Sequence, residues 1–274
     1  MAVDVNEVDI LERPASTGIQ SIENGTPVLR ALVQAKGPMS LTAIATATGM
    51  APGKAHKYLA SYIRAGLVTQ NETGGRYDLG PFALELGVAA MRRIDVMEIA
   101  QAAMDELRNL LGYTVSLALW ANHGPTIMRI AETPDIMSLT VRFGTVMPLL
   151  TSSFGRIFTA YLDRRITQNM IQAELADPKG VAAQAGLRTF ADVDKMLAQF
   201  RARRMSVAEN LSTPGRAALA APIFDHNNRI VAAIAVIGMQ GRLDLDTDSR
   251  PARELAATAR KLSQRLGAAL DQIA

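Results

Sequence analysis

Residues 38–79 read PMSLTAIATATGMAPGKAHKYLASYIRAGLVTQNETGGRYDL, and this stretch decides the fold of the first part of the chain. Leu41, Ile44 and Ala45 share one face of a helix opened by Ser40, whose hydroxyl can accept from an orphaned first-turn amide. Gly49 ends that helix in the left-handed conformation that other residues enter only at a steric cost. A second helix starts near Pro52, where a missing N–H is no loss. Ala55, Leu59, Tyr62 and Ile63 form its inner stripe, which leaves Lys54, Lys57, Ser61 and Arg64 pointing elsewhere. Two helices joined by a glycine-containing turn match the helix-turn-helix pattern, in which the second helix enters the major groove. After Gly66, LVTQ and RYDL alternate apolar and polar residues around Asn71-Glu72-Thr73-Gly74-Gly75, the signal of a hairpin wing.

Charge agrees with that reading. From Asn24 to Asn71 there is no Asp or Glu, while Arg30, Lys36, Lys54, Lys57 and Arg64 fall in the same span. The net charge of +3 is modest, so the local excess says more than the sum. The candidate DNA contacts are Ser40 and Thr42 at the start of the first of the two helices, Lys54, His56, Lys57, Ser61 and Arg64 on the second, and Arg76 on the wing. Phosphate contacts set register while one or two of these side chains read base edges. His56 also reads as a half-buried structural residue.

Before this stretch, residues 1–17 carry Asp4, Glu7, Asp9 and Glu12 with few large apolar groups and read as a mobile acidic tail. The helix that follows has Val28, Leu29, Leu32 and Val33 as its stripe, and Gly25-Thr26-Pro27 predicts a kink or a late start capped by Thr26. After it, PFALELGVAAM (81–91) is apolar nearly all round, which a helix alone in water does not sustain. Met97, Ala100, Met104, Leu107 and Leu111 then step by three and four up to Gly112. TVSLALW and TIMRIAE read as strands about Asn122-His123-Gly124-Pro125, and SLTVRFG as a third. Thr151 or Ser152 caps a helix from about 153 to 162. Residues 163–204 are mostly helical, with 175–187 as a loop, and the helix 190–203 presents Phe190, Val193, Leu197 and Phe200. Its closing Arg201, Arg203 and Arg204 answer the helix dipole rather than a nucleic acid. RAALAAPIFD and RIVAAIAVIG are dense apolar strands joined by His226-Asn227-Asn228. Leu255, Leu262, Leu266 and Leu270 mark a final helix that covers them.

GIQSIENGTPVLRAL, PMSLTAIATATGM, KAHKYLASYIRAGLV and GRYDLG resemble the winged helix-turn-helix half of IclR-type bacterial transcription regulators. PLLTSSFGR, PGRAALAAPIFDHNNRIVAAIAVIG and the last helix resemble their effector-binding half. The resemblance implies an α+β chain: an N-terminal winged helix-turn-helix DNA-binding domain (18–80), a linker helix (81–93) and a C-terminal GAF-like effector-binding domain (94–274). It also implies a homodimer or tetramer that binds a double-stranded operator, an imperfect palindrome, with an affinity set by a small-molecule effector. Regulators of this kind often control adjacent catabolic operons. Gly25-Thr26-Pro27 departs from the family, whose members have uninterrupted helix formers there.

The effector site is expected between the GAF-like sheet and its covering elements, near the helix that starts at Ser153, whose free amides attract a carboxylate. Many relatives place a His in the segment reading LLTSS here, an acidic residue after a short strand and Ser on a late strand. This chain has Leu150, Ala208, Ala235 and Ile237 instead, which favours an aromatic or apolar carboxylic acid over glyoxylate or pyruvate. Trp120, Phe143, Met147, Leu149 and Phe154 are the candidate walls, with Arg142 or the amides near Ser153, Phe154 and Gly155 meeting the carboxylate. Each aromatic also reads as core, and Arg142 as an exposed strand residue.

Composition bounds the alternatives. The chain has 274 residues, enough for two domains, and its 49% hydrophobic content supports true cores. It has no Cys, so no disulfide or thiolate metal site, and no apolar run or leader that points away from the cytoplasm. Its three histidines, His56, His123 and His226, accompany no nucleophile elbow, phosphate loop or metal motif, so no catalytic residue, cofactor or metal is expected. The acidic GRLDLDTDSR reads as a cap and turn. A second reading is a GAF-like sensor that acts mainly through protein partners.

Overall fold

The computed structural model describes residues 18–35, 37–71, 74–93, 95–133 and 142–269, with the backbone alone at 90–93. Lys36, Leu270 and the acidic segment 1–17 lie outside the described residues. The chain divides into two compact units at residues 93 and 94.

In the first unit, α1 (Gln20–Gln34) does not restart at Thr26. It runs unbroken through Pro27, while the Thr26 hydroxyl donates to the Ile22 carbonyl at 2.9 Å. Pro27 removes one helical hydrogen bond, and the burial of Val28, Ala31 and Leu32 holds the helix across that gap. Val33, expected in the core stripe, is 66% exposed. Gly25 is a contact residue: a Cβ there would lie 2.1 Å from the Tyr62 hydroxyl oxygen and 2.8 Å from the Tyr58 ring, so only glycine lets α1 come this close. α2 (Leu41–Thr48) is capped by Ser40, whose Oγ accepts from the Ala43 amide at 3.2 Å, and ends at Gly49 with φ 65°. α3 (Pro52–Arg64) buries Ala55 and Leu59. The wing pairs β1 (Val68–Gln70) with β2 (Tyr77–Leu79) in the register Val68↔Leu79. Met39 and Tyr77 exchange amide-to-carbonyl bonds of 2.9 and 2.8 Å, which ties the entry of α2 to the wing. α4 (Pro81–Arg93) follows, its Phe82 amide donating to the Gly66 carbonyl at 3.0 Å.

The second unit opens with α5 (Val96–Leu111), between the Asp95 cap and Gly112 at φ 70°. Then come β3 (Thr114–Ala121), β4 (Gly124–Ala131), α6 (Ser153–Tyr161), α7 (Arg164–Ala176), α8 (Val181–Gln184) and α9 (Phe190–Arg203). β5 (Ser206–Glu209), β6 (Arg216–Phe224), β7 (Ile230–Met239) and α10 (Arg250–Arg265) complete it. The strands form one antiparallel sheet in the order β4-β3-β7-β6-β5. One face carries Val115, Leu117, Leu219, Ile223, Ile234 and Val236 against α5 and α10. The other face is rich in alanine, with Ala118, Ala220, Ala233 and Ala235, and these small side chains let α6 press Phe154, Ile157 and Phe158 onto the sheet. A further layer of α7, α8 and α9 packs Ile171, Ala182, Val193 and Leu197 outside α6.

Two expectations change here. Residues 175–187 hold the end of α7 and the whole of α8 rather than a loop, because Ala182 and Leu187 are buried anchors among polar neighbours. Of SLTVRFG, residues 138–141 lie outside the described residues, and Arg142 to Gly144 run into a turn rather than a strand. The pairing to β4 is made instead by Val146, which bridges Thr126. The aspartates of GRLDLDTDSR cap their own turns, Asp244 Oδ1 accepting from Asp246 N at 3.0 Å and Asp246 Oδ1 from Asp248 N at 2.8 Å.

Candidate nucleic-acid interface and effector cleft

On the first unit, burying Ala55 and Leu59 inward fixes what α3 shows to solvent. Lys54, His56, Lys57, Ser61 and Arg64 are all exposed, as are Ser40 and Thr42 on the neighbouring helix and Arg76 on the wing. Arg64 is steadied by a 3.3 Å bond to Ser61 Oγ, and Ser61 donates to the Lys57 carbonyl at 3.1 Å. The candidate contact residues are thus all solvent-facing, on a helix and a wing of one unit, and those of α2 and α3 lie in a span without Asp or Glu.

On the second unit, a narrow cleft of about 40 Å³ opens between α6, β4, the end of β7 and the β5–β6 hairpin. Its apolar wall is Ile127, Met147, Phe154, Leu211 and Ile237. Its polar side is Ser152, Ser153, Asn210, Ser212, Thr213 and Arg216. Ser152 caps α6, its Oγ accepting from the Gly155 amide at 2.9 Å and donating to the Pro148 carbonyl at 2.6 Å. The amides of Ser153 and Phe154 belong to the first turn, where a helix offers no acceptor of its own. The hairpin rim is ordered by Asn210, which tolerates φ 51° and accepts from the Gly215 amide at 2.8 Å through its side chain.

The cleft floor is clamped from behind. The Glu174 carboxylate on α7 accepts from the amides of Leu149 and Leu150 at 2.6 and 2.9 Å. Burial pushes this carboxyl above its ordinary pKa, against the pull of the two amides. The buried Arg156 donates from Nε to the Leu150 carbonyl at 2.8 Å and from Nη1 to the Val207 carbonyl on β5. Burial lowers its pKa to about 10, which leaves it protonated at neutral pH. Ser206 completes the tie, its hydroxyl donating to the Ser153 carbonyl at 2.7 Å.

Family models match both units. The IclR helix-turn-helix domain covers residues 21–72, and the bacterial transcriptional regulator IclR C-terminal domain covers residues 88–264.

The chain belongs to the IclR family of bacterial transcriptional regulators.

It is 30% identical over 267 residues to the glycerol operon regulatory protein of Streptomyces coelicolor, spanning 91% of this chain and 97% of that one. It is 26% identical over 241 residues to the transcriptional repressor IclR of Escherichia coli, spanning 86% and 85% of the two chains. Among solved structures, HmgR of Pseudomonas aeruginosa superposes with a TM-score of 0.82 at 33% identity, covering 92% of this chain and 99% of that one. As in its family, this IclR protein joins a helix-turn-helix DNA-binding domain to an effector-binding domain.

Within this IclR effector domain, the expected site residues divide. Met147, Ser153, Phe154, Ala208 and Ile237 line the cleft together. Leu149 and Leu150 are fully buried in the layer beneath it, and Ala235 lies in the sheet core under α6. Gly155 sits under the preceding turn with its amide bonded to Ser152. Trp120 packs on Phe158 with ring centroids 5.8 Å apart. Arg142 is exposed and Phe143 is 71% exposed, neither at the cleft lining. The cleft's own arginine is Arg216, at the first position of β6. Sequence reading passed over it and Asn210 because their meeting with α6 depends on the β5–β6 register Ala208↔Ala218.

Proposed function

We propose that this regulator controls a catabolic operon by binding an aromatic or otherwise apolar carboxylic acid in the cleft of its second unit. The observation that carries the proposal is the mixed lining of the cleft, in which Ser153 and Arg216 share one opening with the apolar Ile127, Met147, Phe154, Leu211 and Ile237. First-turn amides and a guanidinium both favour a carboxylate, and the apolar wall favours a body larger than that of glyoxylate or pyruvate. Alanine and isoleucine at positions 208 and 237 support the same choice. The Streptomyces relative is named for a glycerol operon, and control of a small-molecule utilisation operon is the corresponding reading here.

On the DNA side, Lys54, Lys57, Arg64 and Arg76 take phosphates, Ser40 and Thr42 fix the approach of α2, and His56 and Ser61 face base edges. A homodimer, which can pair again into a tetramer, presents two such surfaces to an imperfect palindrome. Phe82, Leu84 and Leu86 on α4 are 42%, 70% and 49% exposed, an apolar helix surface that a second copy would cover. Effector binding changes the setting of the paired heads, and by linkage operator affinity changes with it.

The test is a ligand panel read by thermal shift and calorimetry on the full chain, alongside Arg216→Gln. Aromatic monocarboxylic acids are expected to raise Tm and to bind about tenfold more weakly to Arg216→Gln. A panel in which only glyoxylate, pyruvate and similar small acids raise Tm overturns the effector assignment.

A further inference from the structure

A second concavity opens on the same unit where β5 has ended and β6 continues as the edge of the sheet, paired with β7 alone. It has a volume of about 470 Å³, between the end of α9, the latter half of β6 and α10. Its floor is apolar, from Ala221, Pro222 and Phe224 on β6 to Ala256 and Ala257 on α10. Its rim is cationic, with Arg203 and Arg204 at the end of α9 and Arg260 on α10.

The surrounding structure decides what can enter. β5 pairs with β6 only from Ala217 to Ala220, so the next stretch of β6 is an open edge. Pro222 brings no amide to that edge, and the Phe224 amide already donates to Ser263 Oγ at 3.0 Å. Another strand finds no donors there, and hydrogen bonds to a guest must come from guanidinium groups. The basic run at the end of α9 divides its labour accordingly. Arg201 is used in packing, its Nε donating to the Ala160 carbonyl at 2.6 Å. The guanidinium groups of Arg203 and Arg260 meet no carboxylate or hydrogen-bond acceptor among the described residues. On α10 the only acid is Glu254, against Arg250, Arg253, Arg260, Lys261 and Arg265.

We infer that this concavity is a second ligand site, separate from the cleft, for a small organic anion that carries two or more negative charges on an apolar body. Arg203 and Arg260 bring two guanidinium groups without an acceptor among the described residues to one opening, and each planar fork matches a carboxylate or phosphate. The alanine, proline and phenylalanine floor rewards an apolar body, and the space is of the size that small ligands occupy.

Benzene-1,3,5-tricarboxylate is the probe, titrated by calorimetry into the full chain and four variants whose fold is checked by circular dichroism. Binding to the unaltered chain is expected, weakened about tenfold by Arg203→Gln and by Arg260→Gln, which is about 1.4 kcal/mol each. Ala257→Trp, at an exposed floor position, is expected to abolish binding at this site, and Arg216→Gln to leave this site's binding unchanged, whatever the probe does in the cleft. Citrate, equally charged without an apolar body, is expected to bind at least tenfold more weakly. No binding to the unaltered chain, equal binding by the three groove variants, or loss of this site's binding in Arg216→Gln overturns the inference. So does an absence of binding together with a change of oligomeric state in Ala257→Trp, which would assign the surface to a second copy.

Discussion

Glu174 and Arg156 hold the two peptide groups that flank Leu150: the carboxylate takes the Leu150 amide at 2.9 Å while the guanidinium gives to the Leu150 carbonyl at 2.8 Å. The two groups are linked through backbone dipoles, and each is satisfied by hydrogen bonds to neutral groups, with Arg156 buried and Glu174 half-buried. Ser152, Ser153 and Phe154 follow directly, so the position of the α6 first turn depends on this arrangement. Glu174→Ala would leave the Leu149 and Leu150 amides without acceptors, at about 2–4 kcal/mol. Trp120 is the only tryptophan and lies in the second unit, so its fluorescence in a urea titration reads this loss.

The titration of Glu174 should run opposite to that of most carboxylates. Its folded pKa is raised above the ordinary 4.5, so the folded chain takes up this proton more readily than the unfolded chain. That contribution is fully present below 4.5 and is lost as pH rises through the folded pKa. The stability difference between the unaltered chain and Glu174→Gln is therefore expected to shift in favour of the unaltered chain as pH falls from neutrality toward 4.5, then level off. A flat difference, or a tilt the other way, across urea titrations at several pH values would refute the assignment.

Gly155→Ala should be costly even though alanine is the better helix former. The added Cβ would stand 2.0 Å from the Pro148 carbonyl oxygen and 2.5 Å from the Leu149 Cα, both backbone atoms that cannot rotate aside. A loss of about 3 kcal/mol is expected, near the upper end for overpacking. Tryptophan-detected unfolding measures it, and a gain in stability would contradict the close approach.

Ser116→Ala is expected to cost nothing, or to stabilise the second unit by about 1 kcal/mol. Ser116 is fully buried in β3 beside Ala235, and its hydroxyl has no hydrogen-bond partner among the described residues. Removing an unsatisfied buried hydroxyl relieves its desolvation cost without opening a large void. The same unfolding measurement decides it, and a loss above 1 kcal/mol would point to a partner for that hydroxyl.

For DNA, Lys54→Ala and Lys57→Ala should each weaken binding across operator variants by a similar factor. Each should also lower the slope of log affinity against log salt by about one unit. His56→Ala should change the ranking of operator sequences more than the slope. Fluorescence anisotropy at several salt concentrations separates these outcomes, and an unchanged slope removes a lysine from the interface.

Local chemistry made the first unit legible. Ser40, Gly49 and Pro52 state where helices begin and end through hydrogen bonds and dihedral limits that act within four residues. The restart expected at Thr26 came from weighing Pro27 by propensity when packing against α3 decided the outcome, and Val33 and Ile63, placed in inner stripes by spacing, are exposed. Ser152 was legible in the second unit for the same local reason. The cleft was not, since Asn210, Thr213 and Arg216 reach α6 only through sheet register, which no short window of sequence contains. Leu149 and Leu150 looked like walls by position, but a glutamate twenty-four residues beyond Leu150 draws their backbone into the layer beneath.

The paired bonds between Met39 and Tyr77 make the reading head a single stiff cartridge. Its helix entry and its wing cannot drift apart without breaking both. Such a head arrives at the double helix already shaped, surrendering little configurational freedom on contact.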